Sequence, residues 1–197
     1  MRKYLRMFAC VLVAGASLIG GTAGAGNDKL QVVNGKVVVL CPLTVGGSFE
    51  IKTDAVSGQV SLGSDEPRSL EGAVSVDLRT LKTGIGMRDR HMRDNYLEVD
   101  KAPGFDTATI EGIELEKLEG KTTFNGTLVL HGQRKPISGT ANISRQGVTY
   151  NVEAEFPVSV SEFNIPKPTF LGVGVQDQIR IKIALAVTSV TTTARAR

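Results

Sequence analysis

The 197-residue chain has no tryptophan, two histidines and two cysteines, and aromatic residues make up only 5% of it. Each scarcity removes a class of chemistry. His91 and His131 share no HxH or HxxxH spacing, so a zinc site is not expected, and neither sits in a nucleophile–base pattern. Cys10 falls in an apolar leader, which leaves Cys41 as the one cysteine of the mature chain and no internal disulfide available. In VVVLCPL, Cys41 reads as a small buried apolar residue. Were it exposed instead, it would be a bridge between two chains, and so a route to a homodimer.

An excess of one charge sign is also missing once the leader is removed. Arg2, Lys3 and Arg6, the apolar run Met7 to Ile19 and the small-x-small Ala23-Gly24-Ala25 together predict a secretory signal over residues 1–25. Cleavage takes three of the 23 basic side chains and none of the 20 acidic ones, leaving the two signs equal. A formally neutral domain offers no basic face, so nucleic acid is set aside as a partner. The expected location is periplasmic or secreted, with the domain over residues 26–190 and a disordered tail over 191–197.

What is abundant is short alternation. In VTYNVEAEF the apolar set is Val148, Tyr150, Val152, Ala154 and Phe156, and in QIRIKIALAV it is Ile179, Ile181, Ile183, Leu185 and Val187. The run TFNGTLVLHGQRKPISGTANI alternates on both sides of His131-Gly132-Gln133, with Phe124, Gly126, Leu128 and Leu130 on one face. Further strands are predicted from Ser48, Gly58, Gly72, Ala108 and Ile137, separated by turn residues. Asn34-Gly35 carries the signature of a type I′ hairpin. One apolar and one solvated face per strand, with no βαβ unit, predict an all-β fold of antiparallel strands closing as a barrel.

Arg88 to Leu97 breaks this pattern and is predicted as a short helix, with Arg88, Met92 and Tyr96 on one stripe. Its charges read as a solvated face with local ion pairs. A sharper reading has Met92 and Tyr96 close over an interior ligand. Glu111, Glu114, Glu116 and Glu119 alternate outward along a strand and turn and read as a solvated edge. Thr83-Gly84-Ile85-Gly86 lacks the strand–helix context of a phosphate loop and reads as a hinge into the helix. His131 is expected to be an exposed turn residue, and His91 to bond local carboxylates. No enzyme activity and no cofactor are expected. A barrel of about eight strands holds either side chains alone or one small ligand, and the residues leave both open. The aliphatic inner face suits a hydrocarbon chain better than a polar metabolite.

Five segments in order, GGSFEIKTDAVSGQVSL, VSVDLRTLKTG, RDRHMRDNYLEVDKAPGFDTATI, GTLVLHGQRKPI and FNIPKPTFLGVGVQDQIRIKIAL, resemble the YceI-like family over roughly residues 30–187. The resemblance implies an eight-stranded antiparallel lipocalin-like barrel with a short helix near one end. It further implies a non-enzymatic carrier or sequestering protein that binds a long-chain polyisoprenoid or similar amphiphile in its lumen, with a link to envelope stress. Arg88, Asp89, His91, Met92 and Arg93, and Leu128, Leu130, Gly132, Lys135 and Pro136, match family signatures and read as structural. The chain departs at its start, where the Asn34-Gly35 hairpin is expected in place of an extended first strand. The alternation, not the family, selects Leu78, Met92, Tyr96, Phe124, Leu128, Tyr150, Val152, Phe156, Phe163 and Phe170 as expected lumen or mouth residues. The alternative is a structural or interaction module of the envelope whose barrel is filled by side chains.

Overall fold

The structure, a computed structural model, describes residues 29–63, 68–170 and 172–190. The expected signal and tail lie outside the described residues, as does the side chain of Phe170. The strands are β1 (Lys29–Pro42), β2 (Ser48–Thr53), β3 (Val56–Leu62), β4 (Arg68–Asp77), β5 (Thr107–Leu115), β6 (Gly120–Leu130), β7 (Gln133–Gln146), β8 (Thr149–Ser159), the two-residue β9 (Thr169–Phe170) and β10 (Val173–Gly174), and β11 (Gln178–Val190). Helix α1 (Gly86–His91) runs on into a single π turn, Met92–Tyr96, between β4 and β5.

Every pairing in the main sheet is antiparallel, in the order β11-β8-β7-β6-β5-β4-β3-β1-β2, and β1 pairs back onto β11 to close it. β2 and β3 lie along successive halves of β1, from Pro42↔Ser48 to Lys29↔Ser61, and act as one bent strand. The barrel is therefore eight-stranded and closed through the β1–β11 ladder.

The expected hairpin at Asn34-Gly35 does not form. β1 runs straight through it and absorbs one residue as a bulge between Val32 and Asn34, leaving Val33 62% exposed. Gly35 meets a packing demand instead: a Cβ there would lie 2.5 Å from Cβ of Val56, at the bend between β2 and β3. Two long-range ladders, to β11 and to β2 and β3, outweigh the local turn preference. The first strand is thus extended, as in the family pattern the sequence was expected to leave.

A type I′ turn does form at His131-Gly132. Both residues have positive φ, 50° and 73°, joining β6 to β7 through a two-residue loop. Val148, expected in the inner set of β8, instead sits in the β7–β8 turn and is 61% exposed. Gly147, with φ 63°, starts that turn and places the strand one residue later.

Candidate functional site

The barrel interior has two halves of different character. At the helix end, Leu78, Leu81, Met92, Val99, Leu128, Leu130, Val158, Val160, Phe163 and Ile165 are all buried in one cluster. These side chains fill the lumen. At the opposite end, where β3 ends, β4 begins and the β5–β6 and β7–β8 turns lie, the interior holds a cavity of about 130 Å³.

Ala141 on β7 and Ala154 on β8 are register partners, and both line this cavity. Two methyl groups facing each other where longer side chains stand elsewhere leave the space unfilled. The walls are aliphatic: Val60, Val74, Ile110, Ile113, Leu115, Ile143, Val152, Ile183, Leu185 and Val187. Leu30, Leu62, Leu70, Leu118 and Tyr150 stand toward the turns, and the last four are half-buried, so this end meets solvent. Tyr150 carries the one polar side-chain atom in the lining. The Arg145 guanidinium lies 5.2 Å from the centroid of its ring, a cation–π contact at the rim.

On β6 and β8 the lining residues nearest the helix are Phe124 and Phe156, whose rings meet edge to face with centroids 5.8 Å apart. Such a pair adds about 0.5–1.5 kcal/mol beyond its buried area. Gly139 on the intervening strand makes the contact possible. A Cβ there would lie 2.4 Å from the Glu155 carbonyl oxygen, 2.7 Å from Cβ of Phe156 and 2.8 Å from Cε1 of Phe124.

Of the residues expected to touch a ligand, Phe124, Tyr150, Val152 and Phe156 line the cavity. Leu78, Met92, Leu128 and Phe163 do not; they are buried in the packed helix-end half, and half-buried Tyr96 packs against it. The helix is therefore no lid. It seals the filled end, because large side chains already occupy the volume beneath it. The aliphatic walls on β3, β4, β5 and β11 were missed, although the same alternation marks them. What was lacking was the knowledge of which end of each strand lies away from the helix.

The RDRHMRD motif does this sealing. Oδ1 of Asp89 accepts from the Thr83 amide at 2.6 Å and from its hydroxyl. Burial pushes the Asp89 carboxyl up, but the two Thr83 hydrogen bonds and the charges of Arg93 and Arg88 outweigh it and hold it below its usual range. Arg93 donates to the Leu81 carbonyl at 3.2 Å. Arg88 donates to the Thr83 carbonyl at 3.1 Å and lies 4.3 Å from the ring centroid of Phe49. His91 is exposed on the helix, at the end opposite the cavity, so it cannot act on a ligand at the mouth.

His131 is buried, contrary to expectation. Its ring stacks against Phe105 at 4.2 Å and donates from Nδ1 to the Phe163 carbonyl, 3.1 Å away. Cys41 is buried as well, which removes the inter-chain bridge considered from the sequence. Burial pushes its thiol up to about 12 despite the opposing charge of Arg88. Glu111 pairs with Arg134, while Glu114, Glu116 and Glu119 are exposed. Among the described residues, no three His, Cys, Asp or Glu side chains converge as a metal site would need.

Comparison with known proteins matches this geometry to a family. A UPF0312 protein of Ectopseudomonas mendocina is 28% identical over 151 residues, covering 73% of this chain and 75% of its own. The fold superposes on BcnA of Burkholderia cenocepacia with a TM-score of 0.65 at 18% identity, covering 78% of this chain and 96% of that one. It also superposes on a polyisoprenoid binding domain from Saccharophagus degradans implicated in plant cell wall breakdown. There the TM-score is 0.60 at 14% identity, over 82% of this chain and 98% of that domain. Residues 31–187, nearly the whole barrel, match the YceI-like domain, and the chain belongs to the YceI-like family.

Proposed function

We propose that this chain is an exported carrier or sequestering protein that takes the hydrocarbon tail of a polyisoprenoid or similar amphiphile into the barrel at the end away from the helix. One observation carries the reading: a cavity of about 130 Å³ whose lining has a single polar side-chain atom and which meets solvent at one end. Water gains no partners there, whereas each methylene moved in from water contributes about 0.8 kcal/mol. The polyisoprenoid binding described for the Saccharophagus degradans domain of similar fold supports the same ligand class. The leader-like residues 1–25 support a periplasmic or secreted location, where such a carrier would serve the envelope and its stress responses.

A second reading, a structural module of the envelope, is favoured by the filled helix-end half and by the modest cavity. Binding sites for drug-sized ligands commonly measure about 300–1,000 Å³. Purification of the full chain from its own compartment, followed by native mass spectrometry and solvent extraction, separates the two. Copurified isoprenoid or acyl amphiphile, on a chain shortened at its N-terminus by export, is the expected result. A reproducibly empty barrel that also ignores added polyprenyl and acyl ligands leaves the structural module.

A further inference from the structure

We infer that the Phe124–Phe156 pair is the stop that sets how far a hydrocarbon chain enters the barrel, and so determines the length of chain this protein recognises inside it. The inference rests on the reading of the cavity as a ligand site and specifies what that site selects.

Three observations converge on the pair. On β6 and β8 the lining reaches no nearer the helix than these two rings, which stand with only Gly139 of β7 between them. With no side chain on β7 to hold them apart, the rings meet edge to face across the lumen. Beyond them Leu128, Ile137, Val158 and Phe163 are buried in the one cluster that fills the helix-end half. An entering chain therefore halts at the rings, and its remaining length stays outside the cavity, toward and past Tyr150.

The volume fixes the scale. A dry cavity of similar size, roughly 150 Å³, accepts benzene. The space of about 130 Å³ here accordingly holds the last several carbons of an aliphatic chain and not a whole long polyisoprenoid. Phe124 and Phe156 act as specificity-determining residues, while Ala141 and Ala154 make the room above them.

The test is isothermal titration of the purified protein with 1-alkanols of increasing length, from about five to twelve carbons. Affinity for the wild type is expected to rise about four-fold per added carbon, the equivalent of one buried methylene. The rise stops once the chain reaches the rings. In Phe124→Leu, which lowers the floor while keeping the position apolar, the break moves to chains about two carbons longer. Phe156→Leu lowers the floor from the other strand and serves if the first variant does not fold; circular dichroism and urea unfolding establish which variants do. Binding whose break stays at the same length in a folded variant, or which strengthens without a break in the wild type, overturns the stop and leaves the ligand site standing. Failure of the wild type to bind any alkanol overturns both.

Discussion

His131 Nε2 lies 3.2 Å from Oε2 of Glu98, while the same ring donates from Nδ1 to the carbonyl of Phe163. A turn residue thus ties together three segments at the sealed end of the barrel: the β6–β7 turn, the loop after the helix and the turn after β8. Both partners carry acceptor oxygens, one facing each ring nitrogen. Glu98 is held below the usual carboxylate range, first by the hydrogen bond from Lys101, against some burial, and further by Lys101's charge and by His131.

Replacing His131 with Leu removes both bonds and strands a carbonyl in a buried site. The expected loss is about 1–3 kcal/mol of unfolding free energy, read from urea denaturation. Because this network lies at the opposite end from the cavity, alkanol affinity of the folded H131L protein should stay at the wild-type value.

Gly35→Ala is expected to destabilise the barrel by about 1–3 kcal/mol through overpacking, since its methyl would lie 2.5 Å from Cβ of Val56. The double variant with Val56→Ala should recover part of the loss. Thermal melts of the two single variants and the double variant measure that coupling; strict additivity would place the cause elsewhere.

Cys41 is expected to resist thiol reagents at pH 8 in the folded protein and to react at once in denaturant. The burial that protects it also links it to stability. Its folded pKa of about 12 lies above the ordinary thiol value of 9.0, so between those values the unfolded state gives up the proton first. Folding stability then falls with rising pH, by up to about 1.4 kcal/mol per unit from this group. Urea unfolding at pH 7 and pH 10 should show a steeper loss for the wild type than for Cys41→Ala.

Where the sequence was legible, burial on one strand face made it so. The inner sets of β6, β8 and β11 alternate cleanly and face the lumen, and Phe124 and Phe156 were already among the expected lumen residues. The errors have two physical causes. Asn34-Gly35 is a strong local turn signal, but it was overridden by pairing to strands distant in the chain, which a local window does not contain. His131 shares the alternation of an outward residue, yet the positive φ of the turn swings it out of the strand pattern and under Phe105. The candidate site was half legible for a related reason. Alternation reports which face a residue takes and says nothing of its height along the barrel axis. Leu78, Met92, Leu128 and Phe163 therefore looked equivalent to Val152, although large neighbours fill the space around them.

The proposed hydrocarbon site is the space above Phe124 and Phe156, and filling that space with protein side chain is the sharpest test of it. Ala141 is buried and lines the cavity opposite Ala154, so Ala141→Leu places three extra carbons where the chain would lie. Titration of wild type and A141L with 1-decanol, alongside thermal melts of both, is the measurement. Binding by the wild type, at least a ten-fold loss in A141L (about 1.4 kcal/mol), and a melting temperature for A141L equal to or above that of the wild type are expected. Equal affinity for decanol in the two folded proteins would contradict it.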